Sequence, residues 1–456
     1  MRHKMVIIGA GSAMFTQGIV LDWLRQEPEG DWEIALVDID GGILEATEKM
    51  VRRLALSAQN PFKISATTER RDVLEGATVV VCTIGVGGRR AWEQDVFVPR
   101  KYGIFQPVGD SVMPGGVSRA MRMIPAVLGI AKDVERLCPD ALFLNYANPM
   151  TAIVRAVRRE TSLGIFGLCI GVDESLHLLS KLAEVPYDRI TATWTGINHL
   201  TWILDVRESG SSLWPVLEQK IADYRRKGID PNLIGRMGWA EGASDAGHNF
   251  HDTLFSWELY EEFGAFPAPL DRHVVEFFPE RFPGGRYYGH TLGVEAYSFE
   301  LTIAYGDRVY DSTLRLGKSE GPVGREQLET TAGEHMQLME ILDSIQHDRR
   351  RWYSVNLPNS SAVSNLPKDA ILELPAAASA DGWLPMTLGE LSPRLVAILL
   401  RRLAAVEATV EAAVTGERKL MTEALILDGS VLDYRTAERL TEDLLRTQAP
   451  YLPQFN

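Results

Sequence analysis

The sequence predicts an α/β fold, with a doubly wound parallel sheet in the N-terminal part and an α+β lobe after it. Three observations carry this. Short β-branched runs recur along the N-terminal part; segments with apolar residues at helical spacing separate them; and the first run closes on a glycine turn that opens such a helix.

Met5-Val6-Ile7-Ile8-Gly9 is the first strand, and residues 16–26 follow as a helix. Glu33-Ile34-Ala35-Leu36-Val37 is a second strand that ends on Asp38. Val79–Ile84 and Ala141–Asn145 are further strands, each preceded by a helical pattern, and Leu163–Cys169 leads into a polar turn and a helix. Such continuous apolar runs suit strands covered on both faces. From about residue 190 the segments become longer, more polar and more aromatic, which sets the expected boundary between domains 1–190 and 191–456. Residues 240–290 are rich in Gly, Pro, His and aromatics without clean periodicity, as expected of active-site loops. Residues 392–415 and 434–447 return to amphipathic helix.

The 456 residues suffice for two packed domains and a cleft. Hydrophobic residues at 45% and charged residues at 24% are ordinary globular values. No run approaches the roughly 20 apolar residues that span a bilayer, so no membrane partner is expected. Met1-Arg2-His3-Lys4 precedes an apolar run, but Gly9 and Gly11 interrupt it with no cleavage-type segment beyond, so a strand is expected in place of a signal peptide. Cys82, Cys138 and Cys169 are odd in number and widely spaced, which argues against disulfides and for a cytoplasmic setting. A net charge of −14 argues against nucleic acid and for small-molecule substrates.

Gly9-Ala10-Gly11-Ser12-Ala13-Met14 follows a strand and opens a helix, where backbone N–H groups can hold a pyrophosphate. Met14 replaces the third glycine of the usual Rossmann fingerprint. Asp38, at the end of the second strand, can accept from ribose hydroxyls and repel a 2′-phosphate, so NAD is expected over NADP. Asp38 also fits a helix cap. Gly85-Val86-Gly87-Gly88 follows another strand and either passes beside the cofactor or is a plain strand-to-loop turn.

Three segments place polar or soft residues at the ends of buried runs: Asn145-Tyr146-Ala147-Asn148-Pro149, Leu168-Cys169-Ile170-Gly171 and Gly196-Ile197-Asn198-His199. Strand ends in such a sheet converge on one crevice. A thiolate and an imidazole there suit a borderline divalent metal, with positions left for substrate oxygens. Taken singly, Cys169 also fits a small buried hydrophobe and His199 a hydrogen-bonded core histidine.

With these segments in hand, the chain resembles, nearly end to end, family 4 of the glycoside hydrolases, the NAD- and manganese-dependent glycosidases. The resemblance runs through Gly9-Ala10-Gly11-Ser12, Lys101-Tyr102-Gly103, Gly109-Asp110, Pro114-Gly115-Gly116, Asn148-Pro149, Cys169, Asn198-His199, Phe263-Gly264-Ala265 and on to His273 and Glu276-Phe277. It implies a lactate/malate dehydrogenase-like architecture, a homodimer or homotetramer, Cys169 and His199 as metal ligands, Asn148 as a sugar contact and Asp110 as an active-site aspartate.

The family's base lies between the metal-binding histidine and the Phe-Gly segment. Here that interval holds Asp245, His248, His251 and Asp252; Asp252 is the first choice, although it also suits a helix N-cap, and Asp245 is the second. The residue after the cysteine is Ile170, where family members carry His, Asp or Asn, so proton donation to the leaving group falls to another residue such as His248 or Asp173, or is not needed. Pro267-Ala268-Pro269-Leu270-Asp271-Arg272-His273 resembles the subgroup acting on uronides, notably α-galacturonides, and Arg272 or Arg89 could grip a sugar carboxylate. The family stands outside two-carboxylate glycoside hydrolysis. The resemblance implies oxidation at C3, deprotonation at C2, elimination, water addition and re-reduction. Competing classes are a sugar or hydroxy-acid dehydrogenase that releases NADH, and a cofactor-bound protein without turnover.

Overall fold

In the computed structural model, residues 2–12, 14–26, 28–60, 62–241, 250–324, 328 and 337–455 are described. Ala13, Asp245 and His248 lie outside them. The strands are β1 (Arg2–Ile8), β2 (Asp31–Val37), β3 (Lys63–Thr67), β4 (Val79–Cys82), β5 (Leu142–Asn145), β6 (Ile165–Leu168), β7 (Ile190–Ile197), β8 (Leu200–Glu208), β9 (Ser211–Ser212), β10 (Phe266–Ala268), β11 (Arg286–Tyr287), β12 (His290–Thr291), β13 (Arg351–Pro358), β14 (Ile371–Ser379) and β15 (Gly382–Pro385). The N-terminal six form a parallel sheet of order β3-β2-β1-β4-β5-β6, the Rossmann order expected from the sequence. Helices α1 (Thr16–Gln26), α2 (Gly41–Ser57), α3 (Arg71–Leu74), α4 (Gly88–Arg100), α5 (Met113–Leu137), α6 (Met150–Glu160) and α7 (Gly171–Ala183) connect and follow these strands.

Both faces of the sheet are buried, which is why its strands are continuously apolar. Met5 and Ile7 of β1 point into one core, Val6 and Ile8 into the other.

The C-terminal part extends the same sheet. Two strands late in sequence join it: β13 pairs antiparallel with β6, β14 antiparallel with β13, and β14 then pairs with β7. β7, β8 and β10 continue antiparallel to the edge. One consequence is that residues two hundred positions apart meet at the C-terminal ends of β6 and β7.

Residues 250–290 are less loop-like than their composition suggests. Leu254–Phe263 is a helix with Leu254, Phe255, Trp257 and Leu259 buried. Its N-terminus is held by the Asp271 carboxylate, which accepts from Phe255 N (2.7 Å), Ser256 N (2.8 Å), Ser256 Oγ (2.6 Å) and Tyr287 Oη (2.6 Å). Burial pushes Asp271 up to about 7. Short elements broken by glycine and proline show no helical period over a long window, yet one buried carboxylate organises them.

Between α4 and α5, Arg122 and Asp95 form a wholly buried ion pair (2.8 Å from Nη1), and Asp95 also accepts from Ser118 Oγ (2.7 Å) and Gln448 Nε2 (2.9 Å). Asp95→Ala would strand the Arg122 charge, so we expect it to lower unfolding stability by about 3–5 kcal/mol in denaturant titrations. A loss below about 1 kcal/mol, the level of an exposed pair, would contradict this.

Candidate functional site

Gly9, directly after β1, has φ +92°, and a Cβ there would sit 2.8 Å from Ile84 N, so only glycine fits against the end of β4. Gly9 N and Ala10 N donate to Val37 O at 2.8 and 2.9 Å, which turns the chain under β2. Gly11 N donates to Asp38 Oδ2 (2.8 Å), and a Cβ on Gly11 would meet Ile43 Cγ2 at 2.5 Å. Asp38 Oδ1 accepts from Asp40 N (3.0 Å), while the N-cap of α2 is Asp40. Asp38 is thus the carboxylate facing the glycine turn. Ser12 Oγ accepts from Met14 N (3.4 Å), and Met14 is exposed ahead of α1. Gly85 opens the turn that closes with Gly88 N donating to its carbonyl (2.8 Å) and leads into α4. The turn could hold a dinucleotide: its glycines let the backbone pack tightly against the end of β4 and the start of α2, and a carboxylate faces it.

The second cluster gathers at the ends of β5, β6 and β7. Asp110 Oδ2 accepts from Asn148 Nδ2 (2.9 Å), and Asp110 Oδ1 accepts from Ser111 Oγ (2.8 Å). Ser111 Oγ lies 2.9 Å from His199 Nδ1, which is 3.7 Å from Asp110 Oδ1. The Cys169 thiol lies close enough to His199 for each to shift the other's pKa. The His273 ring packs 4.2 Å from that of His199, and one ligand atom each from Asp110, His199 and His273 lie within 4.8 Å of one another.

Burial alone would raise the Asp110 pKa, but the hydrogen bond and charge of His199, with His273 and Arg119, hold it well below the usual carboxylate range. Burial also pushes the Cys169 thiol up, with His199 opposing. Among the described residues the buried Asn148 Oδ1 finds no hydrogen-bond partner, which leaves it an acceptor for a ligand. A soft sulfur, two imidazoles and a carboxylate in this space fit a borderline divalent cation, with room for substrate oxygens.

The chain positions this cluster by close approach and buried carboxylates. A Cβ on Gly116 would lie 2.3 Å from Ser111 C, so Pro114-Gly115-Gly116 lets the Asp110 loop cross the start of α5. Glu276 Oε1 accepts from Val108 N (2.8 Å) and Gly109 N (2.9 Å), fixing the same loop from the segment that carries His273. Burial pushes Glu276 up to about 8. Behind His199, Glu373 of β14 accepts from Thr201 Oγ1 (2.7 Å) and Ser354 Oγ (3.0 Å).

The remaining candidates are dispersed. Asp252 is buried in a short turn before the helix Leu254–Phe263, near enough to Tyr297 to raise its pKa. Thr253 occupies the N-cap position of that helix and Asp271 takes its first N–H groups. Arg89 pairs with Asp307 (2.6 Å) and lies over Tyr310. Arg272 stacks on Trp239 and donates to Thr302 Oγ1 (3.1 Å). Ile170 precedes α7, and Asp173 is hydrogen-bonded to Tyr187. Sequence reasoning did not single out His273, Glu276 or Glu373 for any role in the site; His273 and Glu276 carried a signal, as members of the segments matched to the family, and Glu373 carried none.

Comparison with known proteins bears on the whole chain. Residues 4–184 match the model for Family 4 glycosyl hydrolase, and residues 194–431 that for its C-terminal domain. An α-galactosidase of Bacillus subtilis (strain 168) is 28% identical over 99% of both chains. An α-galacturonidase of Lachnoclostridium phytofermentans is 31% identical over 99% of this chain and 97% of that one. The solved structure of a 6-phospho-α-glucosidase from gut microorganisms, in complex with NAD and Mn2+, covers 100% of both chains with a TM-score of 0.83; at 17% identity the likeness is one of fold. The glycine turn, the Cys169–His199 pair and the two matching halves lead to one conclusion: the chain belongs to family 4 of the glycosyl hydrolases, and is a glycoside hydrolase.

Proposed function

We propose that this enzyme cleaves a small α-galacturonide, or another uronide, with NAD and a divalent cation such as Mn2+. The observation that carries the reading is the gathering of Asp110, His199 and His273 into one cluster, with Cys169 next to His199, on a sheet whose first strand ends in a glycine turn facing Asp38. The 31% identical α-galacturonidase supports the substrate class. In this reading residues 1–190 supply the cofactor site, and residues 191–456 complete the metal and substrate site and the contacts between subunits.

Gly9, Gly11, Ser12, Ala13 and Met14 hold the dinucleotide phosphates, Asp38 its ribose, and Gly85 flanks it. Cys169 and His199 hold the cation. When bound, these groups supply reversible hydride transfer at C3 and Lewis acidity at the C2 and C3 oxygens, so that the C2–H becomes acidic. Asn148 Oδ1 accepts from a sugar hydroxyl. Asp110 orients Asn148 and His199 through the contacts above. Asp252, with Asp245 as the second choice, removes the C2 proton; the C1–O bond to the aglycone then breaks by elimination and water adds at C1. Ile170 donates no proton, so aglycones that are good leaving groups are cleaved fastest.

Aryl α-galacturonide, α-galactoside and α-glucoside assayed with NAD+ and Mn2+ test this. Sugar release that needs both additions, fastest on the galacturonide and without net NADH, is expected. One NADH per product would support the dehydrogenase class instead, which membership of the family disfavours. Gly11→Ala is expected to weaken NAD binding about tenfold or more, about 1.4 kcal/mol, and Asp38→Ala to narrow the preference for NAD over NADP. Unchanged binding of both nucleotides by both variants would remove the turn from the cofactor site.

The same reading takes the enzyme to be a cytoplasmic homodimer or homotetramer without nucleic acid or membrane partners. Among the described residues no helix is long and apolar enough to cross a membrane. Sedimentation velocity checks the assembly, and a monomer overturns that part.

A further inference from the structure

A uronide differs from the neutral glycoside by one carboxylate, and a buried cleft that selects it needs a cation with free N–H groups. Arg89 is paired to Asp307, and Arg272 is stacked on Trp239 with a hydrogen bond to Thr302. Arg119 is placed differently. It projects from α5 nine residues after Asp110, and its Nε donates to the Asn148 carbonyl (3.0 Å). Its guanidinium lies 5.6 Å from the Trp92 ring centroid. Its Nη2 stands 4.0 Å from the point a Cβ on Gly85 would occupy.

Arg119 is thus one hydrogen bond from Asn148, whose own amide is one hydrogen bond from Asp110. Among the described residues, its two terminal nitrogens make no hydrogen bond or ion pair. Asp110 is already occupied by Asn148 and Ser111. The guanidinium thus lies beside the Gly85 turn and within electrostatic reach of Asp110, with the Arg122–Asp95 pair also near it. Its Nε anchors the plane of the group through the backbone of the sugar-binding turn, and Trp92 covers it, so the outer edge is held as a preformed fork for a planar two-oxygen anion.

We propose that Arg119 binds the carboxylate at C6 of the uronide substrate and sets the preference for uronides over neutral glycosides. The proposal rests on the uronide reading above. An anion-binding fork beside Gly85 could equally serve a cofactor phosphate, so the experiment separates the two sources.

The test compares the holoenzyme and its Arg119→Gln and Arg119→Lys variants on 4-nitrophenyl α-D-galacturonide and 4-nitrophenyl α-D-galactoside. Calorimetric titrations with NAD+ and with free galacturonate accompany the kinetics, and thermal melting checks folding. In Arg119→Gln the galacturonide-to-galactoside ratio of kcat/KM should fall about 100-fold, chiefly through KM, with galacturonate affinity falling in parallel; Arg119→Lys should recover about tenfold of it, since a point charge replaces a fork. NAD affinity should hold. Equal losses on both substrates, or a loss of NAD affinity, overturns the proposal while the uronide reading stands. A wild-type enzyme with no preference for the galacturonide overturns the uronide reading itself, and that is seen before any variant is compared. Should Arg119→Gln fail to melt cooperatively, the Arg119→Lys ratio and its galacturonate affinity decide, and values equal to wild type overturn the proposal.

Discussion

Replacing Cys169 with serine or His199 with alanine is expected to lower cation-dependent turnover by more than the roughly 10- to 100-fold typical of losing an outer-shell partner. NAD affinity should stay within about twofold, because separate sites respond independently. The physical basis is position. The thiol and imidazole sit at the ends of β6 and β7, whereas the glycine cradle and Asp38 follow β1 and β2 on the far side of β4 and β5. Serine keeps the size of cysteine but lacks a soft thiolate, and alanine removes an imidazole that also joins Ser111 and Asp110. Asp110→Asn keeps the shape and retains an oxygen for Ser111, so a smaller loss is expected from it than from His199→Ala. Manganese binding by electron paramagnetic resonance and NAD binding by fluorescence quenching check the division. Parallel loss of both affinities would show that the two clusters are one cooperative unit.

Much of this site was legible in the sequence, and the parts that were not share a cause. Gly9, Gly11 and Asp38 announce themselves because a turn after an apolar strand constrains the backbone locally. Cys169 and His199 are visible because each ends a buried run, and parallel strand ends converge. His273 and Glu276 reach the site only through tertiary folding of a segment that Pro and Gly break into pieces too short to show a period. Glu373 arrives by a topological step that no local pattern encodes, the insertion of β13 and β14 between β6 and β7. Arg119 was passed over for a related reason. On a helix an arginine reads as solvated surface, and its terminal nitrogens gain meaning only when Trp92, Gly85 and Asn148 are seen around it.

Turnover in deuterated water is expected to place deuterium at C2 of the released sugar. A proton taken from C2 by a carboxylate can exchange with solvent before water adds at C1, whereas an oxocarbenium route leaves the C2–H bond intact. In the proposed function Asp252 makes this transfer. It is buried, which shields a proton-transfer step from bulk water, while Asp271 accepts from the Phe255 and Ser256 N–H groups of the helix that follows. Asp252→Asn keeps the shape and removes the basic oxygen. It should suppress isotope uptake and sugar release together, by the 10²- to 10⁴-fold (order of magnitude) typical of losing a general base. If Asp245 is the base, Asp245→Asn will carry that loss and Asp252→Asn will keep both signals. Mass spectrometry and proton NMR of the product read the label, and a C2-deuterated substrate supplies the complementary isotope effect. Product carrying only hydrogen at C2, together with no isotope effect from the deuterated substrate, would rule out elimination; an isotope effect without exchange would mean that the buried carboxylate returns the same proton.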